Sequence, residues 1–282
     1  MEMSESQLIE SFERDGYVAI ENAFAPDEVA RMRKEADAIL ELIVNSSLGL
    51  GRKSRRLDLV ELANGHHIVR KIQPIIDLSL YLAEISQDQR FLGPMQSIMG
   101  DVPALLEEKL NYKEPLPKPL LGFEAPKRSS DRFPIHSDWA YYRSNGYPQS
   151  VLSSAIAFDD CTADSGPFHV WPGTHREHLP HDKVDIGLEV RSGHIDPEGG
   201  IDLLVPAGTL MIFSSMLIHN SRPNISGRPR RLMIYSHYPK AAEMGFDVRN
   251  GPGRLRESPF EWEYVRKRER GELHDSFTAP TF

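Results

Sequence analysis

Four residues in two separated segments of this 282-residue chain combine into one chemistry: His136 and Asp138 within residues 134–139, then His219, then Arg230. Two imidazoles and one carboxylate are the ligand set that holds non-haem Fe(II) and leaves coordination positions open for substrate and oxygen. An arginine shortly beyond the second histidine suits the far carboxylate of a 2-oxo acid co-substrate, because a planar guanidinium pairs with carboxylates through two parallel bonds. In a chain with eleven histidines, the triad alone is equally well explained as unrelated polar positions. The arginine and the turn-bounded strand that carries it favour the metal.

The elements that must position these residues can be read from spacing. Side chains at i and i+2 of a strand share a face, so a strand through His136 and Asp138 would aim both at one metal. Residues 208–213 read as a strand leading to His219, residues 222–229 as turn chemistry, and Arg230 to Tyr235 as a returning strand. Such a hairpin brings Arg230 within one side-chain length of the metal. Alternation sends Arg230 and Arg231 to opposite faces, so one of them points inward; Arg228, on the turn, is the poorer substitute. Trp139, Tyr141 and Tyr142 follow the first motif and serve equally well as a substrate wall or as core filling. Lys113 is a further candidate for the co-substrate. His175, His178 and His181 recur at three-residue intervals, which suits exposed loop histidines better than a second metal site, and His169 reads as a hydrogen-bonded structural residue.

The rest of the chain divides into a helical part and a strand-rich part. Residues 4–14 read as a helix with capping-box spacing between Ser4 and Gln7, followed by a strand at 17–21. Residues 27–44 form an amphipathic helix with Val29, Met32, Ala36, Ile39, Leu40 and Ile43 on one stripe. Residues 48–56 are glycine-rich and basic and read as a mobile loop, and residues 74–86 and 87–100 as helices. From Leu105 onward the pattern is strands and turns, at 110–113, 151–158, 203–206, 209–213 and 230–238. The small residues Ser153, Ser154 and Ala155 leave room for a ligand inside a barrel, and the whole set suits a double-sheet jelly roll. Residues 260–270 read as a charged amphipathic helix.

Composition bounds the class. The formal net charge of −8 argues against a general nucleic-acid binder, which needs a basic surface. Cys161 is the one cysteine, which leaves no disulfide framework and no cysteine zinc site. The first residues lack a signal-peptide pattern, and no apolar run approaches the ~18 residues of a membrane span. A reducing cytoplasm is the expectation, with a small-molecule substrate, no nucleic acid and no membrane, and with the oligomeric state open.

The chain resembles the phytanoyl-CoA dioxygenase family of Fe(II)/2-oxoglutarate oxygenases. Residues 12–20 resemble the family's opening helix end and first strand, and residues 26–29 the start of the next helix. His136-Ser137-Asp138-Trp139 resembles its proximal metal motif, where glutamine often stands in place of Ser137. Asp159-Asp160, Ser165-Gly166-Pro167 and residues 171–175 resemble the segment between the motifs. His219, Ser221, Asn224, Ser226 and Arg230 match the distal motif in order. The resemblance implies a mainly β fold with flanking helices around a double-stranded β-helix (jelly roll, cupin-like) core. It further implies one domain over 1–282: a helical part to about 104, the core over about 105–240, and a variable segment over about 241–282. Fe(II) would be held by His136, Asp138 and His219, with 2-oxoglutarate and O2 as co-substrates. The family spacing selects Arg230 for the distal carboxylate and Ser221 as a hydroxyl donor. The resemblance implies hydroxylation of a metabolite C–H bond with release of succinate and CO2. Because halogenating relatives lack the Asp138 carboxylate, the chain should hydroxylate or otherwise oxidise rather than halogenate, and desaturation, epoxidation or ring formation would use the same residues. A metal-dependent lyase or isomerase on the same shell, or a non-catalytic ligand-binding relative, is the alternative.

Overall fold

The computed structural model describes residues 4–244 and 259–280, apart from Lys118, Leu121 and Glu124. In chain order the elements are α1 (Glu5–Asp15), β1 (Tyr17–Ile20), α2 (Pro26–Leu50), β2 (Leu57–Leu62), β3 (His67–Ile72), α3 (Leu80–Ile85), α4 (Gln89–Met99), β4 (Pro103–Pro115) and β5 (Lys127–Arg128). There follow β6 (Phe133–His136), α5 (Trp139–Tyr142), β7 (Leu152–Ala157), β8 (Phe168–Val170), β9 (His181–Val184), β10 (Gly187–Val190), β11 (Ile201–Leu203), β12 (Leu210–Ser214), β13 (His219–Ser221), β14 (Leu232–Pro239) and α6 (Pro259–Glu269). A large sheet runs β1-β12-β7-β14-β4-β3-β2-β5, a small one runs β11-β8-β13-β6, and β9 and β10 form a separate hairpin. The fold is mainly β with flanking helices, around a jelly-roll core.

Strand alternation makes the two layers. Along β14, Met233 and Tyr235 join the core beneath the helices, whereas Leu232 and Ile234 join the smaller core between the sheets. Tyr235 donates to the Leu82 carbonyl at 2.6 Å and Tyr112 to the Ala36 carbonyl at 2.7 Å, so both buried hydroxyls tie strands to helices. Helix α2 buries Val29, Met32, Ala36, Ile39, Leu40, Ile43 and Val44 against this sheet. Each of its larger apolar side chains contributes roughly 1.5–3 kcal/mol of burial. Leu8 near the start of the chain and Ala279 near its end belong to the same core.

Several sequence expectations are corrected here. The glycine-rich, basic stretch 48–56 is not a loose loop: α2 continues to Leu50, and Arg56 is buried, gripping Asp77 at 2.7 and 2.8 Å. Gly49 makes room for the Tyr264 ring of α6, where a Cβ would come within 2.8 Å. That packing, with Glu261 accepting from Ser54 at 2.8 Å, seats α6 on α2. The helix expected over 74–86 is confined to Leu80–Ile85, because the amides of Ile75 and Ile76 turn instead to Glu108 at 3.2 and 3.4 Å. The β2–β3 hairpin was not anticipated. Strand β6 ends at His136, and Asp138 lies beyond it in helical conformation (φ −59°, ψ −35°). Finally, His219 and Arg230 are not partners in one hairpin: β13 belongs to the small sheet and β14 to the large one. The connection crosses between sheets, so the two side chains approach from opposite walls.

Candidate metal and co-substrate site

Antiparallel pairing of β13 with β6 sets His219 directly opposite His136, with a bulge between His219 and Ser221. Each Nδ1 faces the carbonyl two residues earlier, Pro134 at 2.8 Å for His136 and Leu217 at 3.0 Å for His219. A carbonyl only accepts, so the proton sits on Nδ1 and each Nε2 keeps its lone pair for a metal. These two Nε2 atoms lie 3.7 and 3.8 Å from Asp138 Oδ1. All three ligand atoms fall within 4.8 Å of one another, close enough to converge on one metal ion after a small inward shift, since two bonds of about 2 Å span at most about 4 Å. Among the described residues no other group of three histidine, cysteine or acidic side chains converges in this way.

The surroundings keep the triad in its ligand forms. Burial pushes the Asp138 carboxyl up, but the neighbouring His136, then Lys109 and His219, outweigh it and hold the group well below the usual carboxylate range. Burial, then His136, pushes His219 down to about 4, so its imidazole is neutral at physiological pH. Asp138 Oδ2 accepts from Ser153 at 3.0 Å, and a hydrogen-bonded chain continues through Ser236 (2.9 Å), Tyr142 (3.2 Å) and Glu107 (2.7 Å) to Lys109 (2.9 Å). Burial, then Glu107, raises the Tyr142 pKa well above its usual value, so its proton stays in place as a donor.

Arg230 enters the same cavity from the large sheet. Its N–H donates to the Tyr112 carbonyl at 3.1 Å, its side chain is 1% exposed, and Nε, Nη1 and Nη2 all lack a hydrogen-bond partner. Ser221 Oγ, also buried and on the cavity wall, has none either. Burial lowers the Arg230 pKa, yet a guanidinium keeps its charge across the physiological range. Arg231 turns the other way, into ion pairs with Asp159 and Asp37, and Arg228 sits on the turn, where its carbonyl accepts from Asn224 at 2.6 Å. Lys113 is buried, but its ammonium donates to the Arg222 carbonyl and lies 3.7 Å from Asp131. Burial, then Arg230, lowers its pKa well below the ordinary value.

The cavity between the sheets has a volume of about 360 Å³. Tyr141 and Tyr142 line it, the Tyr141 ring edge-on to His136 at 5.6 Å. The Tyr141 hydroxyl accepts from the Leu188 amide at 2.7 Å, tethering the β9–β10 hairpin beside the cavity. Trp139 is turned elsewhere: its indole donates to the Tyr147 carbonyl at 3.3 Å and its ring meets His178. His181 is not a loose loop histidine, because its Nε2 accepts the Ser137 N–H at 3.1 Å and so braces the His136–Asp138 segment. His169 is held by Asp202 and the Gly199 carbonyl. Sequence reasoning gave Ser153 only as a small residue leaving room for a ligand, and it missed Ser236, Arg70 and Lys71, and likewise Lys109 and Asn111. One signal for them was present: polar side chains at 107, 109, 111 and 113 alternate with Glu108, Leu110 and Tyr112, which face the helices.

Fold and site together define a jelly-roll enzyme of the non-haem iron class. The chain belongs to the phytanoyl-CoA dioxygenase family: the family model Phytanoyl-CoA dioxygenase (PhyH) matches residues 12–232. It is 26% identical over 261 residues to the ectoine dioxygenase of Stutzerimonas stutzeri (strain A1501), covering 86% of this chain and 80% of that protein. The crystal structure of EctD from S. alaskensis with 2-oxoglutarate and 5-hydroxyectoine is similar at a TM-score of 0.60 and 26% identity, over 91% of this chain and 79% of that one. The epimerase SnoN in complex with Fe3+, alpha ketoglutarate and nogalamycin RO shares the fold, at a TM-score of 0.62 and 17% identity over 90% and 92% of the two chains. The protein is a hydroxylating Fe(II)/2-oxoglutarate-dependent dioxygenase.

Proposed function

We propose that His136, Asp138 and His219 hold Fe(II), that Arg230 and Ser221 bind the distal carboxylate of 2-oxoglutarate, and that the enzyme hydroxylates a C–H bond of a small metabolite. The observation that carries this reading is the buried, partnerless Arg230 guanidinium on the wall of the cavity that the triad faces. A buried cation without a partner is costly, so it implies an anionic ligand. Bound iron and 2-oxoglutarate supply the chemistry: decarboxylation of the co-substrate to succinate and CO2, and delivery of one oxygen atom to the substrate. This chain's side chains bind and orient. The Nδ1 bonds fix both imidazoles, Ser153 fixes Asp138, and Arg230 sets the co-substrate's direction. Tyr141 and the hairpin it tethers would limit water at the reacting centre. Lys113 acts indirectly, holding the Arg222 carbonyl and with it the turn that leads to Arg230.

The cavity volume lies near the lower end of the roughly 300–1,000 Å³ usual for ligand sites, and it must admit 2-oxoglutarate as well. That supports a metabolite-sized substrate over a long acyl chain. The core shared by Leu8 and Ala279, with α6 packed on α2, supports one oxygenase domain over the chain. Among the described residues no helix is long and apolar enough to cross a membrane, and the lone, buried Cys161 suits a reducing cytoplasm. The test is anaerobic titration of the Fe(II)-loaded protein with 2-oxoglutarate, following the visible charge-transfer band of the chelate in wild type and His219→Ala. A band in wild type that is lost in the variant is the expected result. No band with iron demonstrably bound would overturn the assignment.

A further inference from the structure

We propose that the substrate carries a single carboxylate and that Lys71 is its anchor. This rests on the reading above, in which Fe(II) and 2-oxoglutarate occupy the triad and Arg230.

Asp58, Lys71 and Asn111 pair across β2, β3 and β4 and line the cavity, and the same row continues through Leu232 to Ala157. Along this row the inner face of the large sheet is therefore polar on β2–β4 and apolar on β14–β7. Next come the charges on the polar half. Arg70 has Asp58 at 4.0 Å and lies over the Phe133 ring, and Lys109 has Glu107 at 2.9 Å. The Lys71 side chain makes no hydrogen bond or ion pair with any described residue, although it is half-buried in the cavity wall.

The remaining charges cancel once the cofactors are bound. The two positive charges of a bound Fe(II) would be balanced by Asp138 and one carboxylate of 2-oxoglutarate. Arg230 meets the other carboxylate. Among the described residues lining the cavity, Lys71 is then the cation without an ion pair of its own, Asp58 and Glu107 acting on it only at longer range. Burial, then Lys109, lowers its pKa, as expected of an ammonium waiting for an anion. One missing negative charge matches a carboxylate. A phosphate monoester, at about −1.5 to −2 near pH 7, brings more charge than the site lacks. The adjoining Asn111 Oδ1, buried without a partner, supplies an acceptor for an N–H or O–H on the same molecule.

The experiment is anaerobic calorimetric titration of the Fe(II)- and 2-oxoglutarate-loaded enzyme with matched probes. These are benzoate against benzamide, cyclohexanecarboxylate against its amide, L-proline against L-prolinamide, and phenyl phosphate. The chelate band is recorded throughout to confirm that 2-oxoglutarate stays in place. The expected result is that at least one carboxylate binds wild type while its amide does not. Lys71→Met should weaken that carboxylate by about tenfold or more, the scale of a lost charge-assisted bond, with 2-oxoglutarate affinity unchanged. Lys71→Arg should retain binding. Equal binding of amides, no carboxylate binding at all, tighter binding of phenyl phosphate, or no effect of Lys71→Met would each overturn the proposal. A parallel loss of 2-oxoglutarate in Lys71→Met would also overturn it, by assigning Lys71 to the co-substrate. Absence of the chelate band in wild type would instead remove the underlying reading, which separates the two failures.

Discussion

Replacing Arg230 with methionine should make the ligand-free protein more stable and at the same time abolish its response to 2-oxoglutarate. The guanidinium is 1% exposed and all three of its nitrogens lack partners. Leaving a buried polar group unsatisfied costs about 1–3 kcal/mol, and more for a charged one, although water in the cavity offsets part of that. Methionine fills much of the same volume without the charge, so a gain of about 1–3 kcal/mol is expected in the absence of ligand. That corresponds to a rise of a few degrees in Tm for a chain of this size, at roughly 2–4 °C per kcal/mol. Wild type should gain about 2.7 kcal/mol when 2-oxoglutarate is present at about 100 times its Kd. The variant should gain close to nothing. The assay is thermal unfolding of Mn(II)-loaded wild type, Arg230→Met and Arg230→Lys, with and without 2-oxoglutarate. A variant less stable than wild type without ligand, or one with an undiminished 2-oxoglutarate shift, would refute the argument that this arginine waits for a carboxylate.

Further outcomes follow from the same geometry. Ser153→Ala removes the bond to Asp138 Oδ2 and should weaken iron binding by about 10–100-fold, read by competition with a chelator, while 2-oxoglutarate affinity of the fully loaded enzyme changes little. His219 ordinarily titrates near 6.5, whereas in the fold burial and His136 push it down to about 4, so in that window the unfolded chain binds the extra proton. Metal-free stability should therefore fall as pH drops from about 6.5 toward 4; urea midpoints at pH 7.5 and 5 should diverge more in wild type than in His219→Gln, and equal falls would count against it. Gly166 has φ +71° and a Cβ there would meet the Arg222 carbonyl at 2.5 Å, so Gly166→Ala should displace the turn before Arg230 and raise the KM for 2-oxoglutarate. Removing metal with a chelator should abolish the thermal shift given by 2-oxoglutarate, since the 2-oxo acid end then has no anchor; a retained shift would mean binding by Arg230 alone.

Much of the fold was legible because hydrophobic spacing survives in a single sequence. The stripe on α2, the capping box of α1 and the apolar run of β7 each state their burial directly. The limits were equally local. Glycine at 49 reads as flexibility, yet it marks close approach of the Tyr264 ring, a contact more than 200 residues away that no local pattern carries. The strand through His136 was extended past its end because the i, i+2 rule is sufficient but not necessary: a helical turn starting at Asp138 brings its carboxylate to the same point. His181 illustrates the reverse error, since a histidine run in a polar loop gives no sign that one ring accepts the Ser137 amide. The charged wall on β2–β4 was missed because the β2–β3 hairpin was never read as strands, and without it Lys71 has no face to be assigned to.

That wall separates two tasks on different parts of the sheet. The candidate metal ligands and Arg230 come from β6, the start of α5, β13 and the entry to β14, joined by the β6–β13 pairing and by the distal turn. The polar half comes from β2, β3 and β4, whose pairing with one another does not pass through the triad. One side-chain link between the halves is the hydrogen-bonded chain from Asp138 through Ser153, Ser236 and Tyr142 to Glu107. Substitutions at Asp58, Lys71 or Asn111 should therefore alter which molecule binds while sparing iron and 2-oxoglutarate. Tyr142→Phe, which cuts the link, should disturb both affinities together.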